Sequence, residues 1–160
     1  MKGLAGVACP FRLATAVDVP ALAALYRHTA RELGPQVYSA EQVRAWQSFA
    51  HDLPAFSDYV LRARTWIAED QCGAAGFCGI AADGEVYSLY VRAGAGRQGL
   101  GSALLAHAVG DASCLGIDRL EAWATPFSLP VFRRAGFVLV HTVREPYQGV
   151  LFDRHRVARR

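Results

Sequence analysis

One stretch decides the fold: Val86-Tyr87-Ser88-Leu89-Tyr90-Val91-Arg92-Ala93-Gly94-Ala95-Gly96-Arg97-Gln98-Gly99-Leu100-Gly101-Ser102-Ala103-Leu104-Leu105. An apolar segment typical of a β-strand leads into a loop with four glycines in eight residues, and the loop leads into a helical pattern. Glycine lets the backbone turn sharply and come close to a ligand. The first turn of a helix offers unpaired N–H groups and the positive end of the helix dipole. Strand, loop and helix start together predict a site for a phosphate or pyrophosphate, as in a nucleotide-type cofactor.

The composition is that of one globular domain. The chain has 160 residues, of which 52% are apolar and 19% charged, so we expect a single domain over residues 1–160 with an irregular N-terminal extension at 1–10. The net charge is +3, and the basic residues are spread thinly apart from the C-terminal tail. We therefore expect no nucleic-acid partner. No apolar run approaches the roughly 20 residues of a membrane span, so we expect no membrane partner.

The cysteines do not suggest a metal centre. Cys9, Cys72, Cys78 and Cys114 form no Cys-x-x-Cys pair, and no histidine lies at metal-ligand spacing from them. We predict no metal, reduced thiols and a cytoplasmic location.

The order of elements predicts the fold class. Hydrophobic periodicity and turn residues give the order β-α-α-α-β-β-β-α-β-α-β-β. Segments 65–69, 76–82 and 86–91 are predicted to form an antiparallel meander, and Ser39-Ala40-Glu41-Gln42 is a capping box that begins the second helix. The sequence therefore predicts an α+β (mixed α/β) fold with a mostly antiparallel sheet.

Two other phosphate-binding classes fit the glycine loop less well. A Walker loop is excluded because no Gly-Lys-Ser/Thr follows. Gly94-Ala95-Gly96-Arg97-Gln98-Gly99 satisfies the dinucleotide fingerprint, but that fold needs repeated parallel βαβ units and an acid at the end of the next strand. A dinucleotide-binding enzyme remains a less favoured alternative.

The segments Leu89-Tyr90-Val91, Gly96 to Leu105 and Phe132-Arg133-Arg134-Ala135-Gly136-Phe137 resemble the GNAT superfamily of acetyl-CoA-dependent N-acetyltransferases. The family signature is Gln/Arg-x-x-Gly-x-Gly/Ala, and Gly99 and Gly101 match its two last positions. Gly96 departs from the Gln/Arg position, with Arg97 and Gln98 as the compensation. The resemblance covers residues 11–157 and implies about seven strands, flanked by helices and splayed between strands 4 and 5.

A narrower resemblance rests on two further segments. Tyr38-Ser39-x-Glu41-Gln42 with Trp46, together with the ending Gly149-Val150-Leu151-Phe152, is similar to a YafP-like bacterial subgroup.

The resemblance implies acetyl-CoA as the cofactor. Its pyrophosphate would bind the amides of Arg97, Gln98, Gly99, Leu100, Gly101 and Ser102. Its pantetheine arm would pair like a short strand with Leu89 and Val91. An amide near Leu89 and Tyr90 would polarise the acetyl carbonyl. Thr125 would hydrogen-bond the cofactor, and Phe132 would pack against the arm.

The implied reaction is direct attack of a primary amine on the acetyl group in a ternary complex. Most aliphatic amines are protonated at neutral pH, so a base is useful. Glu85, fourteen positions before Gly99, is the candidate base by analogy with the histone-acetylating branch. The alternative is a solvent-facing residue beside the Asp83-Gly84 turn. Strand alternation predicts that Tyr87 and Leu89 share the face of Glu85.

The leaving thiolate and the acceptor are less well defined. Phe132 stands where the family often has a proton-donating tyrosine, so Tyr90, Tyr147 or a water are candidate acids. Tyr26, Tyr38, Trp46 and Tyr87 are candidate contacts for a small-molecule or peptide amine. The resemblance leaves a homodimer open. A CoA-binding module that has lost catalysis and works through a partner is the alternative function.

Overall fold

The computed structural model describes residues 11–95 and 99–160. The helices are α1 (Val19–Leu33), α2 (Ala40–Ser48), α3 (Leu53–Leu61), α4 (Leu100–Cys114) and α5 (Leu129–Arg134). The strands are β1 (Phe11–Leu13), β2 (Arg64–Asp70), β3 (Gly73–Ile80), β4 (Glu85–Val91), β5 (Leu120–Ala124), β6 (Val138–Tyr147) and β7 (Val150–Arg159). The predicted order of elements is confirmed, although the boundaries move by a few residues. The predicted extension at 1–10 and the residues Gly96, Arg97 and Gln98 lie outside the described residues.

The seven strands of the described residues form one sheet, in the order β1-β2-β3-β4-β5-β7-β6. Neighbouring strands are antiparallel except β4 and β5, which are parallel. That pair has only two register positions, Glu85 with Glu121 and Val86 with Ala122. Beyond them β4 and β5 part, as predicted. A sheet with a single parallel pair among the described strands does not fit the repeated βαβ units of a dinucleotide fold.

The helices cover both faces of the sheet. On one face α4 and α5 bury apolar side chains such as Leu104, Leu105 and Phe132. On the other, α1, α2 and α3 bury Leu22, Trp46, Phe56 and others against β2, β3 and β4. The sheet is therefore the middle of three layers, and the gap between β4 and β5 opens between the two helical layers.

Strand β4 carries a β-bulge. Gly79 of β3 faces Ser88, whereas the next residue, Ile80, faces Val86, so Tyr87 is the extra residue on β4. A bulge of this kind switches the alternation of the strand.

The bulge corrects one prediction about the faces of β4. Tyr87 lies on the side of α3, where its ring stacks with that of Tyr59 at 6.2 Å. Leu89 instead packs with the cluster beneath α4. Tyr87 and Leu89 therefore lie on opposite faces, and the expectation that both share the face of Glu85 was wrong. The inserted residue reverses the two-residue period assumed from the sequence.

The capping box at the start of α2 is confirmed. The Ser39 hydroxyl accepts from the Gln42 amide at 3.1 Å, and the Gln42 side chain accepts from the Ser39 amide at 2.8 Å. The Gln42 side-chain nitrogen also donates to the carbonyl of Leu151 at 2.9 Å. The same residue thus starts α2 and ties it to β7.

An ion-paired cluster fixes β1 to the chain that follows it. Arg12 donates to both Asp18 and Glu69, and the Asp18 carboxylate also accepts from the amide of Thr15. The Arg12 hydrogen bond lowers the pKa of Asp18 from 3.8 to about 2.

We predict that Asp18→Asn lowers the free energy of unfolding by about 1 kcal/mol at neutral pH, since Arg12 is partly exposed and the pair is screened. Because the folded pKa of Asp18 is depressed, this contribution is present above pH 3.8 and is lost as the pH falls through about 2. Urea unfolding of both proteins across that range measures it. A difference that stays constant down to the lowest pH would contradict the prediction.

Three further observations concern the described residues only. Cys72, Cys78 and Cys114 are free thiols. In the described part of the chain, no group of histidine, cysteine or acidic residues is arranged to hold a metal ion. Among the helices of the described residues, none combines the length and apolar character that a membrane crossing requires.

Candidate functional site

Three neighbouring cavities lie along the gap between β4 and β5 in the described part of the chain. The first, here called the groove, has a volume of about 410 Å³. It is lined by Thr29, Leu33, Trp46, Leu89, Tyr90, Val91, Arg92, Ala93, Gly94, Gly101, Thr125, Phe127, Ser128 and Val131. The groove therefore runs from the first turn of α4 along the second half of β4.

Two glycines shape the start of α4, and one of them, Gly101, lines the groove. Gly99, the N-cap residue, has a φ of +76°, a conformation that side chains with a Cβ rarely adopt. Gly101 lies in the first turn, and a Cβ there would lie 3.5 Å from Val91 and 3.9 Å from Val131. A larger side chain at Gly101 would enter the groove. The open first turn suits an anionic group, because its N–H groups have no partner within the helix.

Beside the groove, the backbone N–H and C=O groups of β4 that face the gap are not paired with β5. The amide of Arg92 donates to Ala75 of β3 at 2.8 Å, so alternation turns the polar groups of Tyr90 toward β3 as well. The polar backbone groups of Leu89 and Val91 consequently face the gap, where β5 has already diverged. The Thr29 hydroxyl donates to the Val91 carbonyl at 3.3 Å, and that oxygen retains a second lone pair. An extended ligand can therefore pair with β4 here as a strand would.

Thr125 and Ser128 form the opposite wall of the groove. Each side-chain oxygen accepts from the other residue's amide, at 2.9 Å and 3.1 Å. This reciprocal bonding fixes the turn between β5 and α5. The Thr125 hydroxyl is thus already engaged within the protein.

The second cavity, here called the aromatic chamber, has a volume of about 480 Å³. It is lined by Tyr26, Tyr38, Trp46, Phe49, Tyr59, Glu85, Val86, Tyr87, Tyr90, Trp123, Ala124, Thr125, Glu145, Pro146, Tyr147, Phe152, Asp153 and Arg154. Its rings come from α1, α2, α3 and four strands, so the chamber exists only in the assembled fold.

Tyrosine hydroxyls meet at the inner end of the chamber. The indole N–H of Trp46 donates to the hydroxyl of Tyr90 at 3.4 Å, and the Tyr26 and Tyr90 rings lie 4.6 Å apart. Burial raises the pKa of Tyr90, while its hydrogen bond with Trp46 acts in the opposite direction. Burial likewise raises the pKa of Tyr26 well above its ordinary value and raises the pKa of Tyr38 to about 12. These three phenols therefore keep their protons at neutral pH.

Glu85 lies in an ion pair at the closed end of the gap. Its two carboxylate oxygens accept from Arg156 of β7 at 2.7 Å and 2.8 Å. Arg156 also binds Glu121, the parallel partner of Glu85 on β5. Hydrogen bonding to Glu85, the largest cause, raises the pKa of Arg156. One guanidinium thus holds together two carboxylates that would otherwise repel each other across the sheet.

The third cavity shares lining residues with the other two. It has a volume of about 40 Å³, and Val86, Tyr87, Ser88, Leu89, Tyr90, Trp123, Thr125, Ser128 and Phe132 line it. Tyr90 and Thr125 line all three cavities. Phe132 is buried and packs against Phe137 at 5.0 Å between ring centres. The three cavities therefore adjoin one another at Tyr90 and Thr125.

The structure brings together most of the residues selected from the sequence. The groove contains Leu89, Tyr90, Val91, Gly101 and Thr125 of the cofactor set, and the chamber contains Glu85, Tyr26, Tyr38, Trp46, Tyr87, Tyr90 and Tyr147. Gly99, Leu100 and Ser102 lie at the start of α4 without lining the groove. Arg97 and Gln98 are outside the described residues.

Several lining residues were missed from the sequence. Trp123 and Phe152 line the chamber, and Arg92 lines the groove while paired with Asp70. Trp123 lies in a short apolar strand, a pattern that equally indicates core. Phe152 reaches the chamber only because β7 inserts between β5 and β6.

Comparison with known proteins identifies a family match. Residues 35–153 match the family model described as an acetyltransferase (GNAT) domain. No curated protein matches the sequence significantly.

Solved structures show the same fold. A GCN5-related N-acetyltransferase from Rhodopseudomonas palustris has a TM-score of 0.90 at 22% identity, with 98% of each chain covered. The PaiA N-acetyltransferase of Thermoplasma acidophilum, solved with coenzyme A, has a TM-score of 0.73 at 17% identity, covering 93% of this chain and 96% of that one. YncA of Salmonella typhimurium, a protein solved with acetyl-CoA, has a TM-score of 0.63 at 17% identity, covering 92% and 91%. The narrower YafP-like resemblance stays a prediction.

Proposed function

Since the chain belongs to the GNAT acetyltransferase family, we propose that it transfers an acetyl group from acetyl-CoA to a primary amine of a small molecule or peptide by direct attack. The observation that supports this most is that the groove and the aromatic chamber share Tyr90 and Thr125 in their linings. Two substrates bound in these neighbouring cavities would approach each other at those residues.

The described residues fit the cofactor. The open first turn of α4 at Gly101 suits a pyrophosphate, and the backbone groups of Leu89 and Val91 suit the amides of a pantetheine arm. Structures with CoA or acetyl-CoA are known among proteins of the same fold. When bound, acetyl-CoA supplies an activated acyl group on a thiol that leaves readily.

The side chains around the junction would manage the protons. Tyr90 lines all three cavities, its hydroxyl lies beside the Trp46 indole N–H, and its raised pKa keeps it protonated at neutral pH. Phe132 packs in the core nearby and has no proton to give. Glu85, at the closed end of the gap, would accept the amine proton through water. We assign Tyr90 as the acid ahead of Tyr147, because Tyr147 lines only the chamber.

The direct test is release of thiol from acetyl-CoA by the purified protein with a panel of primary amines. The proposal expects thiol release that depends on the amine and an acetylated product that mass spectrometry detects. Tight acetyl-CoA binding without turnover on any amine would favour the alternative of a CoA-binding module. A thermal shift with NAD but none with CoA would instead favour the dinucleotide alternative, which the sheet topology already disfavours.

The base role of Glu85 is tested by Glu85→Gln. If Glu85 accepts the proton of the amine, kcat/KM at neutral pH falls by about tenfold or more and recovers as the pH rises, because the amine then loses its proton to solvent. The pH–rate profile is the measurement.

Glu121→Gln is the matched control, since Glu121 binds the same guanidinium but does not line the chamber. An equal loss of kcat/KM in both variants, with unchanged pH–rate profiles, would show that Glu85 acts only as a structural partner of Arg156.

A further inference from the structure

The residues that line the aromatic chamber indicate the chemical class of the acceptor. Ten of its residues are aromatic, namely Tyr26, Tyr38, Trp46, Phe49, Tyr59, Tyr87, Tyr90, Trp123, Tyr147 and Phe152. The rings come from the helical layer, from β4 and β5, and from the β6–β7 hairpin. A planar ring placed among them can make edge-to-face or offset-stacked contacts on several sides.

The charges of the chamber are balanced by ion pairs. Its carboxylates are matched within the protein as Glu85 with Arg156, Glu145 with Arg154, and Asp153 with Arg144. Arg154 is also held over the ring of Trp123, with its guanidinium carbon 4.3 Å from the ring centre. A polycation therefore finds no unpaired carboxylate among the described lining residues. An acceptor with several ammonium groups would have to compete with these arginines for the carboxylates.

The inner end of the chamber suits one ammonium group. The rings of Tyr26, Trp46 and Tyr90 pack together at the buried end of the chamber, and Trp46 and Tyr90 also line the groove. Ring faces attract a cation, whereas the apolar surroundings favour its neutral form. An amine held there is both retained and more readily deprotonated. Its remaining body extends toward Tyr38, Phe152 and Tyr147 at the outer end.

We propose that the acceptor is an arylalkylamine, a small molecule with one primary amine on a short chain and an aromatic ring as its only other large group. This inference rests on the proposed function and names the substrate class of its acceptor cavity. The chamber volume of about 480 Å³ is in the range of small-molecule sites. The aromatic ring occupies the outer chamber, and the amine lies beside Tyr90.

The test compares three amines on the wild-type protein by acetyl-CoA turnover. We expect kcat/KM for 2-phenylethylamine to exceed that for 2-cyclohexylethylamine by about three- to tenfold, the effect of aromatic contacts beyond shape. We expect it to exceed that for spermidine by about tenfold or more, because the additional ammonium groups of spermidine would lose water among aromatic rings whose neighbouring carboxylates already have arginine partners. Equal or better turnover of spermidine, or of the cyclohexyl analogue, would overturn the substrate class while leaving the acetyltransferase proposal intact.

Calorimetry with saturating CoA, which has no acetyl group to give, separates the two proposals. If no amine is acetylated but 2-phenylethylamine still binds more tightly than the other two amines, the chamber selects arylalkylamines and the acetyltransferase proposal is contradicted. If 2-phenylethylamine shows no binding preference, the substrate class fails.

A pair of variants tests whether the aromatic ring of the acceptor binds in the chamber. Phe152 lies against Tyr38 with 5.4 Å between ring centres, whereas the neighbouring Leu151 is 54% exposed and does not line the chamber. Phe152→Ala should raise the KM for 2-phenylethylamine by about five- to tenfold without changing the KM for acetyl-CoA. Leu151→Ala should leave both constants unchanged. Equal KM values for 2-phenylethylamine in the two variants would contradict the placement.

Discussion

Gly101→Val should weaken acetyl-CoA binding by about 10- to 100-fold while the protein remains folded. A Cβ at this position would contact Val91 and Val131 at ordinary distances, so the methyl groups of valine must extend into the groove. Overfilling a tightly shaped space typically costs about 1–3 kcal/mol, and about 1.4 kcal/mol corresponds to tenfold in affinity. Calorimetric titration with acetyl-CoA measures the loss, and circular dichroism checks the fold.

Gly110→Val provides the matched control. Gly110 lies on the same helix, and no atom lies within 4 Å of a Cβ placed on it. Both variants put a β-branched residue into α4 and so share the small cost in helix propensity. We expect Gly110→Val to bind acetyl-CoA as the wild type does. Equal affinity in the two variants would show that the start of α4 does not hold the cofactor.

Tyr90→Phe should lower kcat by about 100-fold with little change in the KM for acetyl-CoA. The substitution keeps the ring that packs against Tyr26 but removes the hydroxyl that accepts from Trp46, on a residue that lines all three cavities. Loss of a general acid typically costs about 10²–10⁴-fold, and the lower end applies because a thiolate is a tolerable leaving group. Steady-state kinetics with acetyl-CoA and an amine measure both constants.

The pH dependence sharpens this prediction. Burial raises the pKa of Tyr90 above its ordinary value of 10.0, so the wild-type hydroxyl remains protonated across neutral and mildly alkaline pH. The loss of kcat in Tyr90→Phe relative to the wild type should therefore be constant between about pH 6 and about pH 9. Tyr147→Phe is the comparison, since Tyr147 is the other candidate acid. A larger loss of kcat in Tyr147→Phe than in Tyr90→Phe would transfer the acid role to Tyr147.

The local features of the chain could be predicted from the sequence. The capping box at Ser39 and Gln42 depends on residues three apart, and it formed as expected. The apolar strand, glycine loop and helix of residues 86–105 depend on a continuous segment too. Short-range patterns of this kind determine where elements begin and end.

The bulge at Tyr87 could not be predicted in the same way. The segment from Val86 to Val91 has a regular apolar pattern, and nothing within it marks an extra residue. The extra residue results from the pairing of β4 with β3, where Gly79 faces Ser88 and Ile80 faces Val86. Register between strands depends on both partners, so one strand alone does not specify it.

Only some of the residues around the aromatic chamber could be predicted from the sequence, because the others are brought there by long-range contacts. Tyr26 and Trp46 were selected because they lie in the first two helices, where the resemblance places an acceptor site. Arg156, by contrast, meets Glu85 across 71 positions of sequence, and Phe152 reaches the chamber through the insertion of β7 beside β5. Contacts of such long range depend on the topology of the whole sheet.

The central claim is that β4 and the start of α4 hold the cofactor and direct its acyl group to Tyr90. A crystal structure of the protein with bound CoA tests this most directly. We predict pantetheine amides paired with the backbone of Leu89 and Val91, the pyrophosphate over the first turn of α4 at Gly101, and the sulfur beside Tyr90. CoA bound away from β4, or with its sulfur outside the gap between β4 and β5, would contradict the account.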